Sequence, residues 1–337
     1  MVLLSSFLPP LFRTATSGPA LHIPDGFLSL PIALLCWIVS VGLLGLAVRL
    51  TRGQLSERQV PLMGVMAAFI FAAQMINFPV AGGTSGHLLG GALAAMTLGP
   101  WGGMLVMASV VGVQGLLFQD GGLVAMGANI LNMGLLTALL GYGLYRGVVG
   151  QRRQVRMVVA GLAAWLSVMA GALATALELW LSGTARLDVV VPAMLSIHAL
   201  IGIGEALITM AALAFIARMR PDLLEAEAGV ARGGRGWVVA GLAVALAVVL
   251  LSPLASANPD GLQRVAVSLG FFHQGAPAQY TILPHYTLPF LGATPLSRIM
   301  AGAIGLLVVA GVAMGGVRLL RRSARLASKT GRQVPSR

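Results

Sequence analysis

Long apolar runs dominate the chain, and short stretches that carry most of its charges separate them. A run of about 20 apolar residues is the length that an α-helix needs to cross the hydrocarbon core of a bilayer. Clear runs free of Asp, Glu, Lys and Arg are Ser29–Val48, Val60–Phe78, Leu123–Leu144, Met157–Leu177, Trp237–Ala257 and Ile299–Val317. Another run, Val189–Ala217, is interrupted only by His198 and Glu205. The pattern predicts an all-α, polytopic integral membrane protein.

One more apolar run, Leu88–Gln119, is too long for one ordinary helix and too short for two. Its middle contains Gly99-Pro100, which is a turn signal. The first arm of this run spans only roughly 18 Å at about 1.5 Å per residue, whereas the hydrocarbon core is about 30 Å thick. We therefore predict a short or re-entrant hairpin, with His87 below the outer membrane surface.

Arginine-rich clusters predict the orientation of the spans. They are Arg49–Arg58, Arg146–Arg156, Arg218–Arg235 and Arg318–Arg337. Basic residues concentrate on the cytoplasmic side of a membrane, and all these clusters reach that side only if the hairpin counts as two crossings. We expect about nine crossings of the inner (cytoplasmic) membrane, with the N-terminus outside and the C-terminus in the cytoplasm. They divide into a core of about seven spans and a two-span C-terminal module.

Composition excludes several classes of protein. With 57% hydrophobic and 9% charged residues, the chain cannot cover a water-facing surface. The net charge of +12 does not indicate nucleic acid, because the basic residues lie at the ends of apolar runs. The single cysteine, Cys36, excludes an intramolecular disulfide. No phosphate-binding P-loop motif is present, so a partner must perform any ATP-driven work.

These patterns divide the chain into five segments. We expect an extension over residues 1–20, a metal-binding membrane core over 21–217, a cytoplasmic linker over 218–236, a two-span accessory module with an outer loop over 237–320, and a basic cytoplasmic tail over 321–337. The extension is either a signal-like segment cleaved after the small residues Gly18 and Ala20, or the product of a misassigned start at Leu21. Either route makes Leu21 the first residue of the mature chain.

A mature N-terminus at Leu21 gives His22 a possible chemical role. A free amine, the following backbone amide and the imidazole of a histidine at position two together supply three nitrogens, and a further imidazole completes a plane. Such nitrogen-rich, planar sites suit Ni(II) or Cu(II) and also accept Co(II). The alternative is that His22 is an ordinary interfacial histidine.

The segment His22-Ile-Pro-Asp-Gly-Phe-Leu28 resembles the start of the CbiM/NikM family, the substrate-binding membrane components of cobalt and nickel energy-coupling-factor transporters. Further matches are Asn77-Phe-Pro-Val80, Gly83-Thr-Ser-Gly-His87-Leu-Leu-Gly-Gly91, Gln114 with Phe118-Gln-Asp-Gly-Gly122, Gly127-Ala-Asn-Ile-Leu-Asn132-Met and the stretch from His198 through Glu205 to Thr209. These motifs cover Leu21 to about Ala217 and are specific as a set. Asn258-Pro-Asp-Gly-Leu262 resembles the small accessory subunit of the same systems, of the PDGLE type, here fused to the core.

The resemblance implies a ligand set and partners. The metal would be held by the amine of Leu21, the amide and imidazole of His22, and the imidazole of His87. The partners would be two ATPase subunits and a transmembrane coupling protein in the lipid bilayer. The chain itself would be non-catalytic and would have no prosthetic group, with Co²⁺ or Ni²⁺ as its transported substrate. The sequence does not distinguish cobalt from nickel, because both accept the same nitrogen ligands.

Other polar residues in apolar surroundings are candidates for supporting roles. Ionisable groups in a membrane usually face the protein interior, where they pair or function. His198 and Glu205 share one helix face, and with Glu178 they either brace the bundle or orient the metal-binding segment. The side chains of Asn77, Ser85 and Gln114 are expected to hold this segment by hydrogen bonds.

Alternatives from other classes remain. A stand-alone, proton-coupled secondary transporter for a metal or small solute would use Glu178, His198 and Glu205 as a proton relay. An intramembrane metalloenzyme is disfavoured, since the chain has no His-Glu-x-x-His helix. We interpret Asp120 as a turn-forming aspartate and His273 and His285 as incidental.

Overall fold

The computed structural model describes residues 22–52, 59–219, 236–277, 280 and 282–330, without the side chains of 323–330. The extension over 1–20, the amine of Leu21, nearly all of the predicted linker and the end of the basic tail lie outside the described residues. The described part of the chain is almost entirely helical. Its α-helices are α1 Leu30–Thr51, α2 Gln59–Gln74, α3 Gly91–Val113, α4 Met126–Asn129, α5 Thr137–Arg146, α6 Arg153–Leu181, α7 Leu187–Met219, α8 Gly236–Leu251, α9 Gly261–Leu269 and α10 Pro295–Thr330.

Seven stretches of helix within the described residues are long and apolar enough to cross a membrane. They agree with the predicted multi-pass, all-α architecture and differ from the predicted spans mainly at their ends. The π-helical turns Gln114–Phe118 and Ile130–Leu136 extend α3 and join α4 to α5. The predicted span Val60–Phe78 instead ends at Gln74, and a short antiparallel hairpin of β1 Phe78–Val80 and β2 Thr84–Gly86 follows it.

Helix α3 is bent back on itself in the middle. Gly99 has non-helical angles (φ 76°, ψ 166°), and Pro100 starts the second arm. A Cβ atom placed on Gly103 would lie 2.7 Å from the backbone nitrogen of Ala95, eight residues earlier, although residues at this spacing in a continuous helix lie about 12 Å apart. The two arms therefore pack against each other as a hairpin, as the turn signal predicts.

Small residues and methionines allow the helices of the core to approach closely. Gly103 meets the backbone of the first arm of α3, while Gly134 and Gly161 pack against the side chains of Met107 and Met210. Most of the apolar interior forms one cluster, which includes residues of the core and of α8 and α10. This arrangement is typical of membrane bundles, where close packing rather than water exclusion holds helices together.

The C-terminal module packs against the core within the helical bundle and at one end of it. Helices α8 and α10 lie against α2, and Val249 and Ala301 join the main apolar cluster. Between them, Asp260 caps the N-terminus of α9 by accepting a hydrogen bond from the backbone amide of Gln263 at 2.7 Å. The loop after α9 reaches the N-terminal segment of the core, and the loop before α9 reaches the β-hairpin.

Candidate metal centre

The N-terminal segment, residues 22–28, is held by hydrogen bonds between side chains and main-chain atoms. Asn129 binds Ile23 twice: its Oδ1 accepts from the Ile23 amide at 2.9 Å, and its Nδ2 donates to the Ile23 carbonyl at 3.0 Å. The amide of Gly122 also donates to this carbonyl at 2.9 Å. The buried Asn129 side chain therefore fixes the backbone next to His22.

Asp25 fixes the same segment from the other side. Its carboxylate accepts from the amides of Leu123 and Ala125, both at 3.0 Å, just before α4 begins. Negative charge is favourable at this end of a helix. The Asp25 carbonyl accepts from the amide of Ala276 in the C-terminal module at 2.7 Å. The module therefore contacts the N-terminal segment directly.

His22 lies at the centre of these contacts and is 2% exposed. Its Nδ1 lies 2.8 Å from the main-chain oxygen of Asp120. Because a carbonyl oxygen only accepts, Nδ1 carries the proton in this arrangement. The other nitrogen, Nε2, is buried without a hydrogen-bond partner among the described residues. Gly121, with a φ of 106°, lies against His22. A Cβ atom added to Gly121 would come within 2.9 Å of the His22 Cβ, so the absence of a side chain leaves room for the histidine.

His87 lies next to His22. The centroids of the two imidazole rings are 5.6 Å apart, with an angle of 72° between the ring planes. His87 is 9% exposed, and its Nδ1 lies 3.0 Å from the main-chain oxygen of Leu88. The fold thus brings together two buried histidines that are 65 positions apart in the sequence.

Glu205 holds the chain that follows His87. Its two carboxylate oxygens accept from the amides of Leu89 and Gly90, at 2.6 and 2.9 Å, where α3 begins. Gln74 binds the same peptide from another direction, because its Nε2 donates to the Leu89 carbonyl at 2.7 Å. Glu205 is fully buried, and its role in this structure is to position backbone two residues beyond His87.

Ser85 and Asn77 lie at the junction with the C-terminal module. The Ser85 amide donates to the carbonyl of Pro259 at 2.9 Å, and its hydroxyl donates to the carbonyl of Asn258 at 2.8 Å. The main-chain oxygen of Asn77 accepts from the Ser256 amide at 2.8 Å. These residues connect the β-hairpin before His87 to the loop before α9.

Gln114, His198 and Glu178 each form hydrogen bonds with a different part of the chain. The main-chain oxygen of the fully buried Gln114 accepts from the Asp120 amide at 3.1 Å, which shapes the turn beneath His22. The Nδ1 of His198 lies 2.7 Å from the Met194 carbonyl of its own helix, and its ring faces Gly261 of α9. Glu178 accepts from Asn132 at 2.7 Å and from Cys36 at 3.4 Å.

Several residues at the site have contacts that sequence reasoning did not assign to them. Asp25, Asp120 and Asn129 all lie within motifs that carry the family resemblance, which was the available signal. Asp120 is more than a turn former, since it contacts His22 and its Oδ2 accepts from the hydroxyl of Tyr286 at 2.5 Å. Tyr286 belongs to the C-terminal module, and nothing in the sequence pattern links it to position 22.

The donor atoms of the site limit what it can bind. Among the described residues, no group of three or more His, Cys, Asp or Glu side chains is arranged to hold a metal ion. The side chains of this region offer two neighbouring imidazoles, with the Asp120 carboxylate 3.9 Å from Nδ1 of His22, and these described side chains alone do not complete a metal site.

Comparison with protein families gives two matches. Residues 22–223 match the family described as cobalt uptake substrate-specific transmembrane region, CbiM, and residues 235–322 match the PDGLE domain. The structure is similar to the crystal structure of a truncated transition metal transporter, with a TM-score of 0.53 and 32% identity over 58% of this chain and 98% of the other.

Relatives named as fused nickel transport proteins match nearly the whole chain. A putative fused nickel transport protein NikMN from Archaeoglobus fulgidus is 37% identical over 89% of this chain and 99% of its own length. The fused nickel transport protein NikMN from Rhodobacter capsulatus is 31% identical over 90% and 100%. A cobalt transport protein CbiM from Geobacter sulfurreducens is 34% identical over 65% and 66%. The chain therefore belongs to the CbiM family and carries a PDGLE domain fused to its C-terminal side.

Proposed function

We propose that this chain is the substrate-specificity component of an ATP-driven energy-coupling-factor transporter that takes up divalent cobalt or nickel. Membership of the CbiM family and the names of its fused relatives support transport of these ions. The single observation that carries the proposal for the site is the pair of buried imidazoles, His22 and His87, at the anchored start of the core.

In the proposed site, the amine of Leu21, the amide and imidazole of His22, and the imidazole of His87 supply four nitrogens. Within one residue, Nδ1 is the imidazole nitrogen that closes a chelate ring with the residue's own amide. Binding therefore requires His22 Nδ1 to release its proton and leave the Asp120 carbonyl. Because the amide must also lose its proton, binding weakens as the pH falls. The support residues are Asn77, Ser85, Gln114, His198 and Glu205.

We propose domain boundaries and an orientation to match. The metal-binding core covers 21–217 and the accessory module 237–320, joined by a cytoplasmic linker, in a cytoplasmic membrane with the N-terminus outside. Because the sequence has no P-loop, two ATPase subunits and a coupling protein would supply the energy. A proton relay through Glu178, His198 and Glu205 is disfavoured, because each of these groups has hydrogen-bond partners that serve local structure.

The first experiment is the intact mass of the purified membrane protein, with bound Ni²⁺ or Co²⁺ quantified on the same sample. A chain that begins at residue 21 and carries about one equivalent of metal supports the four-nitrogen site. A chain that begins at Met1 and still binds the metal tightly contradicts the role of the Leu21 amine.

The second experiment is uptake in cells by single variants. His22→Ala and His87→Ala should each abolish uptake while membrane insertion remains normal, whereas the exposed His273→Ala is the matched control and should keep it. Normal uptake by both test variants would overturn the site. Uptake that needs no ATPase partner and collapses with the proton gradient would instead support a secondary transporter.

A further inference from the structure

The C-terminal module places one tyrosine hydroxyl behind the candidate metal centre. Tyr286 lies in the outer loop between α9 and α10 and is 4% exposed. Its hydroxyl donates to Oδ2 of Asp120 at 2.5 Å. Asp120 reaches His22 with two groups: its main-chain oxygen lies 2.8 Å from Nδ1, and its carboxylate Oδ1 lies 3.9 Å from the same nitrogen. A chain of buried polar groups thus leads from the module to a proposed ligand.

Packing against two phenylalanine rings fixes the Tyr286 ring and therefore the direction of its hydroxyl. It stacks on Phe118 with ring centroids 4.7 Å apart and an interplanar angle of 18°. The centroid of the Phe71 ring lies 6.0 Å from that of Tyr286. The loop is joined to the core at Leu283, whose amide donates to the Leu117 carbonyl at 2.9 Å. The direction of the hydroxyl is therefore set by packing on the core and by the backbone of the module together.

The Tyr286 hydroxyl is the donor in its hydrogen bond to Asp120. Burial, and then the neighbouring Asp120 carboxylate, raise the pKa of Tyr286 well above its usual value. The proton consequently stays on the tyrosine, and the carboxylate of Asp120 accepts a hydrogen bond from the hydroxyl. Hydrogen bonds to an ionised acceptor are among the stronger ones in proteins.

We propose that Tyr286 is a positioning residue for metal binding, whose hydroxyl holds the Asp120 carboxylate so that Oδ1 faces His22. A negative charge fixed next to this imidazole favours a cation bound to it. The inference rests on the proposed function and deepens it, because it makes the fused module part of the binding site. Loss of such an outer partner typically lowers metal affinity by about 10–100-fold.

The test uses the purified full-length protein and measures its dissociation constants for Ni²⁺ and Co²⁺. Tyr286→Phe removes the hydroxyl and keeps the stacked ring, and it should weaken binding by about tenfold or more. Tyr280→Phe is the matched control, because Tyr280 lies in the same loop and its hydroxyl donates to a core carbonyl, that of Leu116, at 2.8 Å. This control should bind like the wild type.

A double-mutant cycle with Asp120→Ala shows whether the tyrosine acts through the carboxylate. This substitution keeps the main-chain oxygen that contacts His22 and removes only the side chain. Tyr286→Phe should then cause no further loss in the Asp120→Ala background, since directly coupled residues are not additive. The ligand-field absorption band of bound Ni²⁺ should be unchanged in Tyr286→Phe, because the nitrogen ligands remain the same.

Each contrary result has a distinct meaning. Wild-type affinity in Tyr286→Phe would show that the ring only packs and would overturn the inference while the proposed function stands. Tighter binding would also overturn it, because Asp120 would then compete with the metal for Nδ1. Additive effects in the cycle would contradict action through Asp120. Absence of Ni²⁺ and Co²⁺ binding in the wild type with a verified N-terminus at residue 21 would instead contradict the proposed function itself.

Discussion

The region around His22 and the apolar interior of the helices are stabilised in different ways. Around His22, side chains bind main-chain atoms that are about 100 positions away, as Asn129 does with Ile23 and Glu205 with Leu89. In the interior, helices meet through glycines and methionines, as Gly134 does with Met107. Individual hydrogen bonds fix the main chain in the first region, and close packing fixes the helices in the second.

This difference teaches where damage should appear. A lost hydrogen bond near His22 should displace this proposed ligand by a fraction of an ångström, and metal coordination is sensitive to displacements of that size. An overfilled contact in the interior forces whole helices apart, which affects folding of the complete bundle. Metal affinity and the free energy of unfolding should therefore respond to different substitutions.

The largest effect is expected at Glu205, because its buried carboxylate binds two amides at the start of helix α3, only two and three residues beyond His87. Glu205→Ala leaves the amides of Leu89 and Gly90 without their buried acceptor, at about 1–3 kcal/mol for each unsatisfied group. Both the free energy of unfolding in detergent and Ni²⁺ affinity should fall. Glu205→Gln keeps one acceptor and should lose less of each, and an Ala variant with wild-type stability would show that water replaces the carboxylate.

The next effect belongs to the interior. Gly103→Leu would push a side chain into the backbone of the first arm of α3, since even a Cβ would lie 2.7 Å from the Ala95 nitrogen. The cost should reach or exceed the upper end of about 1–3 kcal/mol for overpacking, because backbone cannot move aside as a side chain can.

Denaturation of the purified variant and the metal affinity of its folded fraction measure this second effect separately. Gly112→Ala is the matched control, since it lies on the second arm and a Cβ there meets nothing within 4 Å. The comparison predicts reduced stability with near-normal affinity in the folded fraction of Gly103→Leu. A lower affinity at unchanged stability would contradict the division between the two regions.

A smaller loss of stability and a clear loss of affinity are expected at Asn129. Asn129→Leu removes both hydrogen bonds to Ile23, so the segment that contains His22 loses a fixed position. Ni²⁺ affinity should fall by about 10–100-fold, as for other residues that orient metal ligands. Thermal denaturation should show a much weaker effect than Gly103→Leu, and equal effects in the two variants would argue against the comparison.

The fold followed from the sequence more completely than the site did. Apolar runs predicted the spans, and Gly99-Pro100 predicted the hairpin, because both signals are local. The β-hairpin at Phe78–Gly86 was missed, because only Phe78 lies in the predicted span Val60–Phe78 and its three-residue strands are too short to give an alternating pattern. Local patterns also gave most helix ends to within about four residues, but α10 continues to Thr330, well beyond the predicted end at Val317.

At the site, the sequence predicted the residue types and not their partners. His22 and His87 were found through motifs, and the structure places them side by side. Ser85 was expected to hold the metal-binding segment by hydrogen bonds, and no pattern predicted that its partners are Asn258 and Pro259 of the module. Contacts between positions that are 100 or more residues apart depend on the tertiary fold, which no periodicity encodes.

The last prediction is a pH dependence at Asp260, in the junction between the core and the C-terminal module. Burial raises the pKa of Asp260 to about 8, and nearby Asp120 adds to the rise, although backbone hydrogen bonds from Gln263 and Leu262 oppose it. The unfolded chain has the ordinary aspartate pKa of about 3.9. Between these values the folded state binds more protons than the unfolded state, so this residue lowers stability as the pH rises.

Asp260→Asn removes that titration, and its side-chain oxygen can still cap α9. The melting temperature of the variant relative to the wild type should therefore increase from pH 5 to pH 8.5, by about 2 °C or more. Thermal denaturation of the metal-free protein at both pH values provides the measurement. A difference that is the same at both pH values would mean that Asp260 keeps an ordinary pKa in the folded protein.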